Sequence, residues 1–289
     1  MIEIKDLTFG YGRQKLFDHL DLSLERGNIY GLLGKNGAGK TTLLKLICGL
    51  RYAQTGSIRV LGHDAAFRPV HMLDEIISVP EELFIPPLLP RVYLSLYAPF
   101  YPRFSHDEFR TCMTELELEQ DKKLSSLSYG QKKKFALAFA LASGCRVLLL
   151  DEPTNGLDIP SKGQLRRLLA RASRDDRVIL VSTHQVRDME NLIDPIIVLD
   201  QGRIIFNQPM AEVTKRLSVR LEPTEPQGDS ILYADRTIGG WVSVRRNTGT
   251  EETGIDLETL FNTVIANPGK LSEIFGASRT TEPTEVHNG

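Results

Sequence analysis

The sequence predicts an α/β fold built on a mostly parallel sheet. Short apolar runs typical of strands, at residues 29–33, 147–150 and 178–182, alternate with stretches of helical periodicity. This alternation favours parallel strands joined by helices, because each helix covers an apolar face of the sheet. The run 147–150 is apolar at every position, which indicates a strand buried on both faces.

Two smaller units accompany this core within the first 212 residues. Residues 1–30 are expected to form a small subdomain of antiparallel strands, because apolar and polar side chains alternate over residues 20–25 with the period of a half-buried strand. Residues 83–143 are mostly helical in pattern and begin with a stretch rich in proline and aromatic residues. We therefore predict one domain over residues 1–212 that includes a small α-helical subdomain.

The rest of the chain predicts a small α+β extension over residues 213–277. Short alternating segments suggest strands, and residues 257–265 place apolar side chains on one face of a helix. Asp256 is positioned to cap this helix, and Pro268 to end it. The last residues, 278–289, are expected to be a disordered tail. The extension could regulate the domain, help it to dimerise, or simply pack against it.

Composition excludes several classes of protein. The 289 residues are 41% apolar and 25% charged, which is typical of a folded protein. Lys and Arg number 35 against 37 Asp and Glu, so the net charge of −2 gives no general attraction to nucleic acid or to anionic membranes. The three cysteines are far apart, which argues against a disulfide framework or a zinc site and fits a reducing compartment.

Membrane insertion is not expected. The first residues lack the basic and then apolar order of a signal peptide. No run approaches the roughly 18 apolar residues that span a bilayer. We therefore expect a cytosolic chain that does not itself form a pore.

Residues 34–41, here called the phosphate loop, match the pattern G-x-x-x-x-G-K-[ST] between a predicted strand and a predicted helix. Glycines let backbone N–H groups turn inward around an anion, and the following helix directs its positive end at that anion. Lys40 is placed to reach the β- and γ-phosphates of a nucleotide, and the Thr41 hydroxyl to bind Mg²⁺. The candidate nucleotide-binding residues are Gly34, Lys35, Asn36, Gly37, Ala38, Gly39, Lys40, Thr41 and Thr42.

Two adjacent acids follow the apolar run 147–150. Because ligands bind at the carboxyl ends of parallel strands, Asp151 and Glu152 are expected near the phosphate loop. Asp151 suits the ligand shell of Mg²⁺, and Glu152 suits positioning and polarising an attacking water. Alone, such a pair would more often be an acidic loop, but the phosphate loop favours the functional interpretation.

Residues 127–131, Leu-Ser-Tyr-Gly-Gln, open a predicted helix between these two motifs. With this segment, here called the signature, the sequence resembles the ATP-binding cassette (ABC) family, the nucleotide-binding subunits of ABC transporters. The loop 155–158, His184 after the next strand, and Tyr11 in the N-terminal strands match further features in the family's order. The resemblance covers residues 1 to about 212.

The resemblance implies a P-loop NTPase core that binds ATP and Mg²⁺. Tyr11 is implied to stack on the adenine, and Asp158 to lie in a loop at a dimer interface. Two copies are implied to face each other head to tail, so that the signature acts on the ATP of the partner. The implied signature residues are Ser128, Tyr129, Gly130 and Gln131. The implied catalytic residues are Glu152, His184 and Lys40, and the implied metal ligands are Thr41, Asp151 and Glu81.

Glu81 marks a departure from the family, which usually has a Gln at the junction into the helical subdomain. The assignment could move by one residue to Glu82. A carboxylate is a good Mg²⁺ ligand, but its charge opposes the γ-phosphate unless the metal neutralises it.

A second unusual feature, the three lysines 132–134, is interpreted as a solvated helix face rather than a nucleic-acid patch.

The partners implied by the resemblance are a second copy of the chain, or a homologous cassette, and an integral membrane permease; no nucleic acid is expected. A permease places the chain at the cytoplasmic face of the cell membrane. Single-cassette chains of this kind resemble those that serve bacterial export-type (ABC-2-like) permeases. The stretch 83–104 is expected to receive the permease and, in part, to fill the core of the helical subdomain. The alternative function is a soluble cassette ATPase that acts on ribosomes or DNA.

Overall fold

The computed structural model describes residues 1–249 and 253–276 of the chain. Within these ranges the strands are β1 (Ile2–Tyr11), β2 (Gln14–Leu24), β3 (Asn28–Leu33), β4 (Thr55–Val60), β5 (His63–Asp64), β6 (Ile76–Val79), β7 (Val147–Asp151), β8 (Val178–Thr183), β9 (Ile196–Asp200), β10 (Arg203–Gln208), β11 (Leu217–Glu222), β12 (Ile231–Thr237) and β13 (Gly240–Arg246). The α-helices are α1 (Lys40–Ile47), α2 (Val70–Leu73), α3 (Pro90–Tyr97), α4 (His106–Glu115), α5 (Tyr129–Ala142), α6 (Ile159–Ala172), α7 (Met210–Arg216), α8 (Leu257–Ala266) and α9 (Pro268–Phe275).

A six-stranded sheet in the order β10-β9-β3-β8-β7-β6 forms the centre of the chain. Its strands pair in parallel, except that β10 pairs antiparallel with β9 at one edge. Every residue of β7 and β8 is buried, because both faces of the sheet are covered. The predicted α/β fold with a mostly parallel sheet is therefore confirmed.

The sheet separates two apolar cores, because successive side chains of a strand point to opposite faces. Leu149 and Leu180 belong to a core that includes the N-terminal strands and α1. Leu148 and Leu150 belong to the other core, which includes α4, α5 and the C-terminal extension. The phosphate loop and the acids after β7 are thus supported from both faces of the sheet.

The N-terminal strands form a separate antiparallel sheet in the order β2-β1-β4-β5. Ile2 pairs with Leu24, and Ile4 with Leu22. All four side chains are buried in the core that includes α1. The predicted antiparallel N-terminal strands are confirmed, and they bring β1 and β2 next to the phosphate loop.

Helices α3, α4 and α5 lie between β6 and β7 in the chain. Ser105 caps α4, since its hydroxyl oxygen accepts a hydrogen bond from the N–H of Glu108 at 3.1 Å. The rings of Tyr93 and Phe104 pack against Phe139 of α5, with ring centroids 5.2 and 5.1 Å from that of Phe139.

Over the described residues, no helix combines the length and the apolar character that a membrane span requires.

The C-terminal extension contains the antiparallel sheet β11-β13-β12 and the helices α8 and α9. Leu260 is fully buried in the core that β7 and β8 also line, so the extension packs on the central domain. Asp256 caps α8 as predicted, with its carboxylate accepting the N–H of Thr259 at 2.9 Å. The helix ends at Ala266, but Pro268 starts a further helix, because proline suits a first turn.

Two limits of the predicted domains, at residues 212 and 278, can be located relative to the described residues. The boundary at residue 212 falls inside α7, which spans Met210–Arg216. The predicted disordered tail, 278–289, lies outside the described residues.

The three cysteines Cys48, Cys112 and Cys145 are free and buried.

Replacing Asp256 with Ala is expected to loosen the start of α8, because the N–H of Thr259 loses its acceptor. Loss of such a cap costs about 1 kcal/mol, which corresponds to about fivefold faster hydrogen exchange of the α8 backbone amides. Mass spectrometry of exchanged peptides measures this rate. Asp256→Asn keeps a capping oxygen and should exchange almost as slowly as the original chain; equal rates for all three proteins would contradict the cap.

Candidate nucleotide-binding site

A cavity of about 500 Å³ opens at the carboxyl edge of the central sheet. The residues that line it are Tyr11, Gln14, Leu16, Asn36, Gly37, Ala38, Gly39, Lys40, Thr41, Thr42, Glu81, Glu152 and His184. Most of the predicted nucleotide-binding residues thus share one cavity with Glu152 and His184. Gly34 and Lys35 line a second cavity beside it.

The phosphate loop joins the end of β3 to α1. Gly37 and Gly39 have φ angles of +81° and +106°, which residues with side chains rarely adopt. A Cβ on Gly39 would lie 2.8 Å from the ring of Phe17, so β2 closes directly against the loop. The first turn of α1, whose backbone N–H groups are free of intrahelical partners, forms one wall of the cavity.

Lys40 is buried and lines this cavity. Its Nζ donates to the carbonyl oxygens of Gly34 at 2.7 Å and Lys35 at 3.3 Å, and it lies 3.7 Å from Oε1 of Glu152. Burial lowers the pKa of the Lys40 ammonium, and the carboxylates of Glu152 and Asp151 oppose that effect. A positive charge is therefore held where the phosphates of a nucleotide would place negative charge.

The Asp151 carboxylate is held from two sides at the end of β7. The Thr41 hydroxyl donates to Oδ2 at 2.7 Å, and the Ser182 hydroxyl donates to Oδ1. Asp151 is buried, so these two donors fix the orientation of its carboxylate. The two bonds join α1 and β8 to the end of β7.

Glu152 has a φ angle of +45°, a left-handed conformation that is costly for a residue with a side chain. Its Oε1 accepts the backbone N–H of His184 at 3.0 Å and lies 2.7 Å from the ring Nδ1 of the same residue. Its Oε2 accepts a hydrogen bond from the Thr183 hydroxyl at 3.1 Å. The end of β8 therefore orients the Glu152 carboxylate at the cavity wall.

Glu81 follows β6 and also lines the cavity. Its Oε1 accepts a hydrogen bond from Nδ2 of Asn155 at 2.8 Å, and Oδ1 of Asn155 accepts one from Nε2 of Gln185 at 2.8 Å. This chain of bonds connects Glu81 to the loop 155–158 and to the residue after His184. Sequence reasoning missed Gln185, whose place beside His184 was the available signal.

Lys133 contradicts the interpretation of lysines 132–134 as a solvated face. Its side chain is fully buried. The Nζ donates to the carbonyl oxygens of Glu81, Pro80 and Asp151 at 3.1, 3.3 and 3.5 Å. Burial lowers the pKa of this ammonium, and the nearby carboxylates, of which Glu81 acts most strongly, oppose that effect.

Helical spacing explains why Lys133 lies inside. Leu137 and Ala140 of α5, four and seven residues later, share its face of the helix and are fully buried. The neighbouring Lys134 also has a partner within the chain, because its Nζ donates to the carbonyl oxygen of Leu116 at 3.2 Å. The continuous apolar run 135–142, which buries the helix on most sides, was the available signal that the preceding turn also enters the core.

The signature lies at the start of α5. The Ser128 hydroxyl oxygen accepts the N–H of Gln131 at 3.2 Å, and Oε1 of Gln131 accepts the N–H of Ser128 at 3.0 Å, which completes a capping box. Because this hydroxyl acts as an acceptor, its proton remains available to another group. None of Ser128, Tyr129, Gly130 and Gln131 is among the described residues that line the 500 Å³ cavity.

The signature adjoins the loop 155–158 of the same chain. A Cβ on Gly156 would lie 2.5 Å from the ring of Tyr129, and a Cβ on Gly130 would lie 2.7 Å from the carbonyl oxygen of Gly156. The Tyr129 hydroxyl also donates to the carbonyl oxygen of Glu81 at 2.7 Å. Close backbone contact thus keeps the signature and this loop on one surface.

Two further predicted residues lie at the margins of the site. Tyr11 is at the mouth of the cavity, half exposed, with its hydroxyl 3.2 Å from that of Thr42. Asp158 lies outside the cavity and caps α6 by accepting the N–H of Ser161 at 2.9 Å. Its hydrogen bonds with Ser161 hold the pKa of the Asp158 carboxyl below its usual value.

Three oxygen donors at the end of β7 and in the adjoining cavity fit Mg²⁺. The Thr41 hydroxyl and the carboxylates of Asp151 and Glu81 are hard ligands of the kind this ion prefers. In the described part of the chain, no group of three or more His, Cys, Asp or Glu side chains could hold a metal ion. Mg²⁺ commonly takes one or two carboxylates and completes its shell with water and phosphate oxygens.

Comparison with known proteins gives a consistent result. The family model described as ABC transporter matches residues 17–155. The bacitracin transport ATP-binding protein BcrA of Bacillus licheniformis is 33% identical over 227 residues, which are 77% of this chain and 74% of BcrA. Nod factor export ATP-binding protein I of Burkholderia orbicola (strain AU 1054) is 34% identical over 215 residues, which are 71% of this chain and 69% of that protein.

Solved structures agree with the sequence relatives. The structure of an ATP-binding subunit of an ABC transporter aligns with a TM-score of 0.68 and 27% identity, covering 74% of this chain and 91% of that one. A dimeric post-hydrolysis state of the ATP-binding cassette MJ0796, bound to ADP and Pi, aligns with a TM-score of 0.64 and 25% identity. It covers 73% of this chain and 99% of that one.

The fold and the site together define a P-loop ATPase of the ATP-binding cassette type. The chain belongs to the ABC transporter family, as an ATP-binding and ATP-hydrolysing subunit. Subunits of this kind dimerise and work with membrane permeases. Transport is therefore favoured over the alternative of a soluble ATPase acting on ribosomes or DNA.

Replacing Lys133 with Met is expected to destabilise the fold. The substitution keeps the length of the side chain but removes this donor from three carbonyl oxygens, of which that of Asp151 is buried, and this costs about 1–3 kcal/mol in the free energy of unfolding. Urea denaturation measures the change. Lys132→Met, at the half-exposed neighbouring position, should stay within about 0.5 kcal/mol of the original chain, and equal effects of the two variants would contradict the role of Lys133.

Proposed function

We propose that this subunit hydrolyses ATP in a head-to-tail dimer, with each ATP between the phosphate loop of one copy and the signature of the other. The observation that carries the proposal is the position of the signature, which lies outside the cavity of its own chain. The proton of the Ser128 hydroxyl and the free N–H groups of the first α5 turn are available to a partner's γ-phosphate. The partner is a second copy or a homologous cassette.

Each residue of the cavity then has a distinct part in the reaction. Lys40 and the backbone N–H groups of the phosphate loop bind the β- and γ-phosphates, and Tyr11 stacks on the adenine. Glu152, oriented by Thr183 and His184, polarises the attacking water and accepts its proton. His184 lies beside Glu152 at the cavity wall and contacts the γ-phosphate.

Mg²⁺ enters this scheme through the oxygen donors around Thr41. The Thr41 hydroxyl and the carboxylates of Asp151 and Glu81 would hold the ion. When bound, the ion neutralises charge on the phosphates. The Ser182 hydroxyl keeps the Asp151 carboxylate in one orientation, which leaves its oxygens ready for the ion.

Hydrolysis opens the dimer, because the γ-phosphate is the ligand that both copies share. Once the bond is cleaved, the donors of the signature lose their acceptor and the two copies separate. This is a switch in which a γ-phosphate orders an interface and its loss releases it. Coupled to a permease, opening and closing drive transport.

Exposed aromatic side chains support an interaction with a membrane permease. Phe84 is 95% exposed and Phe100 is 66% exposed, whereas Tyr93 and Phe104 pack into the core. The stretch 83–104 thus contributes side chains both to the core and to an exposed apolar surface. We place a cytoplasmic segment of the permease on the free surface, since such a surface commonly marks an interaction site.

The relatives support an export role. BcrA is named for bacitracin transport, and the relative from Burkholderia orbicola for Nod factor export. On this basis the permease is of the export type, and the subunit is peripheral at the cytoplasmic face of the cell membrane. Residues 1–212 carry the ATPase mechanism, and residues 213–277 form the extension.

Replacing Glu152 with Gln is expected to abolish turnover while ATP still binds. The amide keeps the size of the side chain but cannot accept the proton, and removal of a general base costs about 10²- to 10⁴-fold in rate. ATP-bound dimers should then accumulate, as measured by light scattering during size-exclusion chromatography with and without ATP. Hydrolysis at the original rate would remove Glu152 from its assigned role.

Replacing Lys40 with Ala tests nucleotide binding, because it removes the ammonium group from the phosphate loop. This variant should lose nucleotide binding, measured with a fluorescent ATP analogue, and should stay monomeric with ATP. An unchanged affinity for ATP would count against the phosphate-loop assignment.

Replacing Glu81 with Gln tests its place in the metal shell. Loss of the charge should raise the Mg²⁺ concentration for half-maximal ATPase activity by about tenfold, as for other changes around a metal site. Glu82→Gln, at an exposed position one residue later, should leave that concentration unchanged. The opposite pattern would assign the metal ligand to Glu82, and no effect of either change would remove both from the shell.

A further inference from the structure

A second cavity, of about 240 Å³, opens beside the phosphate loop. Asn36 and His184 line both this cavity and the larger one, so the two are contiguous. Residues 34–36 and His184 form part of its lining, and the apolar side chains of Val186 and Phe261 complete it. Phe261 belongs to α8, so the C-terminal extension reaches the edge of the nucleotide site.

Apolar packing holds Phe261 in this place. Leu260 of α8 is fully buried in the same core as Val186, which follows His184 by two residues. Arg187 also donates to the carboxylate of Glu258, but a pair this exposed contributes little to stability. Phe261 itself is only partly buried, so part of its ring forms the apolar wall of the cavity.

Ile159, the first residue of α6, is 85% exposed, whereas Phe261 is partly buried. A single exposed isoleucine is ordinary on a protein surface, so exposure alone proves nothing. Its position is the informative feature, because it directly follows Asp158 and the loop 155–158. That loop is linked to both surfaces that the proposed dimer brings together.

Two contacts establish this link. The ring of Tyr129 lies against Gly156, which joins the loop to its own signature. Nε2 of Gln185 donates to Oδ1 of Asn155, which joins the loop to the segment that follows His184. The loop therefore lies between the signature and the nucleotide cavity of its own chain.

Twofold symmetry then determines what the loop meets. In a head-to-tail dimer, each signature faces the partner's phosphate loop, so the loop 155–158, which adjoins its own signature through Tyr129, is brought toward the partner's phosphate loop. There it faces the part of the partner that borders the phosphate loop on the side of His184. That part is the 240 Å³ cavity with Val186 and Phe261.

We propose that Ile159 of each copy enters the 240 Å³ cavity of its partner, between Val186 and Phe261. The extension then forms part of the ATP-dependent dimer interface and is a dimerisation element. Burial of an aliphatic side chain in an apolar socket stabilises the closed dimer twice, because the symmetric interface has two such sockets. The inference rests on the head-to-tail dimer proposed above.

Disulfide trapping tests the contact in the full chain, with Glu152→Gln present to accumulate the dimer. The variant carrying Ile159→Cys and Phe261→Cys should form a covalent dimer on mild oxidation with ATP and Mg²⁺, and far less without ATP. The three original cysteines are buried, so the new thiols should dominate the reaction. Non-reducing electrophoresis measures the product.

The other outcomes separate this contact from the dimer itself. An ATP-dependent dimer by light scattering without a covalent product would overturn only the contact. Crosslinking by Ile159→Cys alone would place the two isoleucines against each other and overturn the socket. The absence of any ATP-dependent dimer would overturn both this inference and the proposed head-to-tail arrangement.

Dimer affinity gives a second measurement, again with Glu152→Gln present. Ile159→Ser should raise the dissociation constant of the ATP-bound dimer about tenfold for each socket, so about 100-fold in total. Phe67→Ser is the matched control, because Phe67 is 83% exposed and belongs to the turn Ala65–Phe67, whose Ala65 lies beside Gly49, past the far end of α1. Equal dissociation constants for the two variants would overturn the proposal.

Discussion

The hydrogen bond from the Thr41 hydroxyl to the Asp151 carboxylate connects the parts on which the whole site depends. It joins the first turn of α1 to the end of β7, although the two residues are 110 positions apart in the chain. Strand β8 lies between β3 and β7, and Ser182 at its end bonds the same carboxylate. Because these parallel strands end at one edge of the sheet, the phosphate loop and the acids keep a fixed relation.

Two energetically costly features lie next to this bond. Glu152 adopts a left-handed backbone conformation, and Lys133 buries an ammonium group. Each is offset by several hydrogen bonds: Glu152 by Thr183 and His184, and Lys133 by carbonyl oxygens that include that of Asp151. Through Lys133, the helix that begins with the signature is attached to the strand that carries the acids.

Sequence patterns predicted those features that short segments produce by themselves. Asp256 precedes a periodic apolar helix and caps it, and Gly39 precedes Lys40 in the loop and adopts a positive φ. The same patterns failed for Lys133, because three adjacent lysines concealed the buried face of α5. They gave no sign of the bonds that join Glu81, Asn155 and Gln185, since these residues come from three separate segments.

The sequence by itself determined the class of fold, the phosphate loop, the acids after β7 and the signature. Each of these is local, and residue types a few positions apart determine backbone conformation, capping and periodicity. Only the tertiary structure decided that Lys133 lies inside and that Phe261 borders the phosphate loop. Such contacts join residues that are distant in the chain, and they form because two apolar cores must close around one sheet.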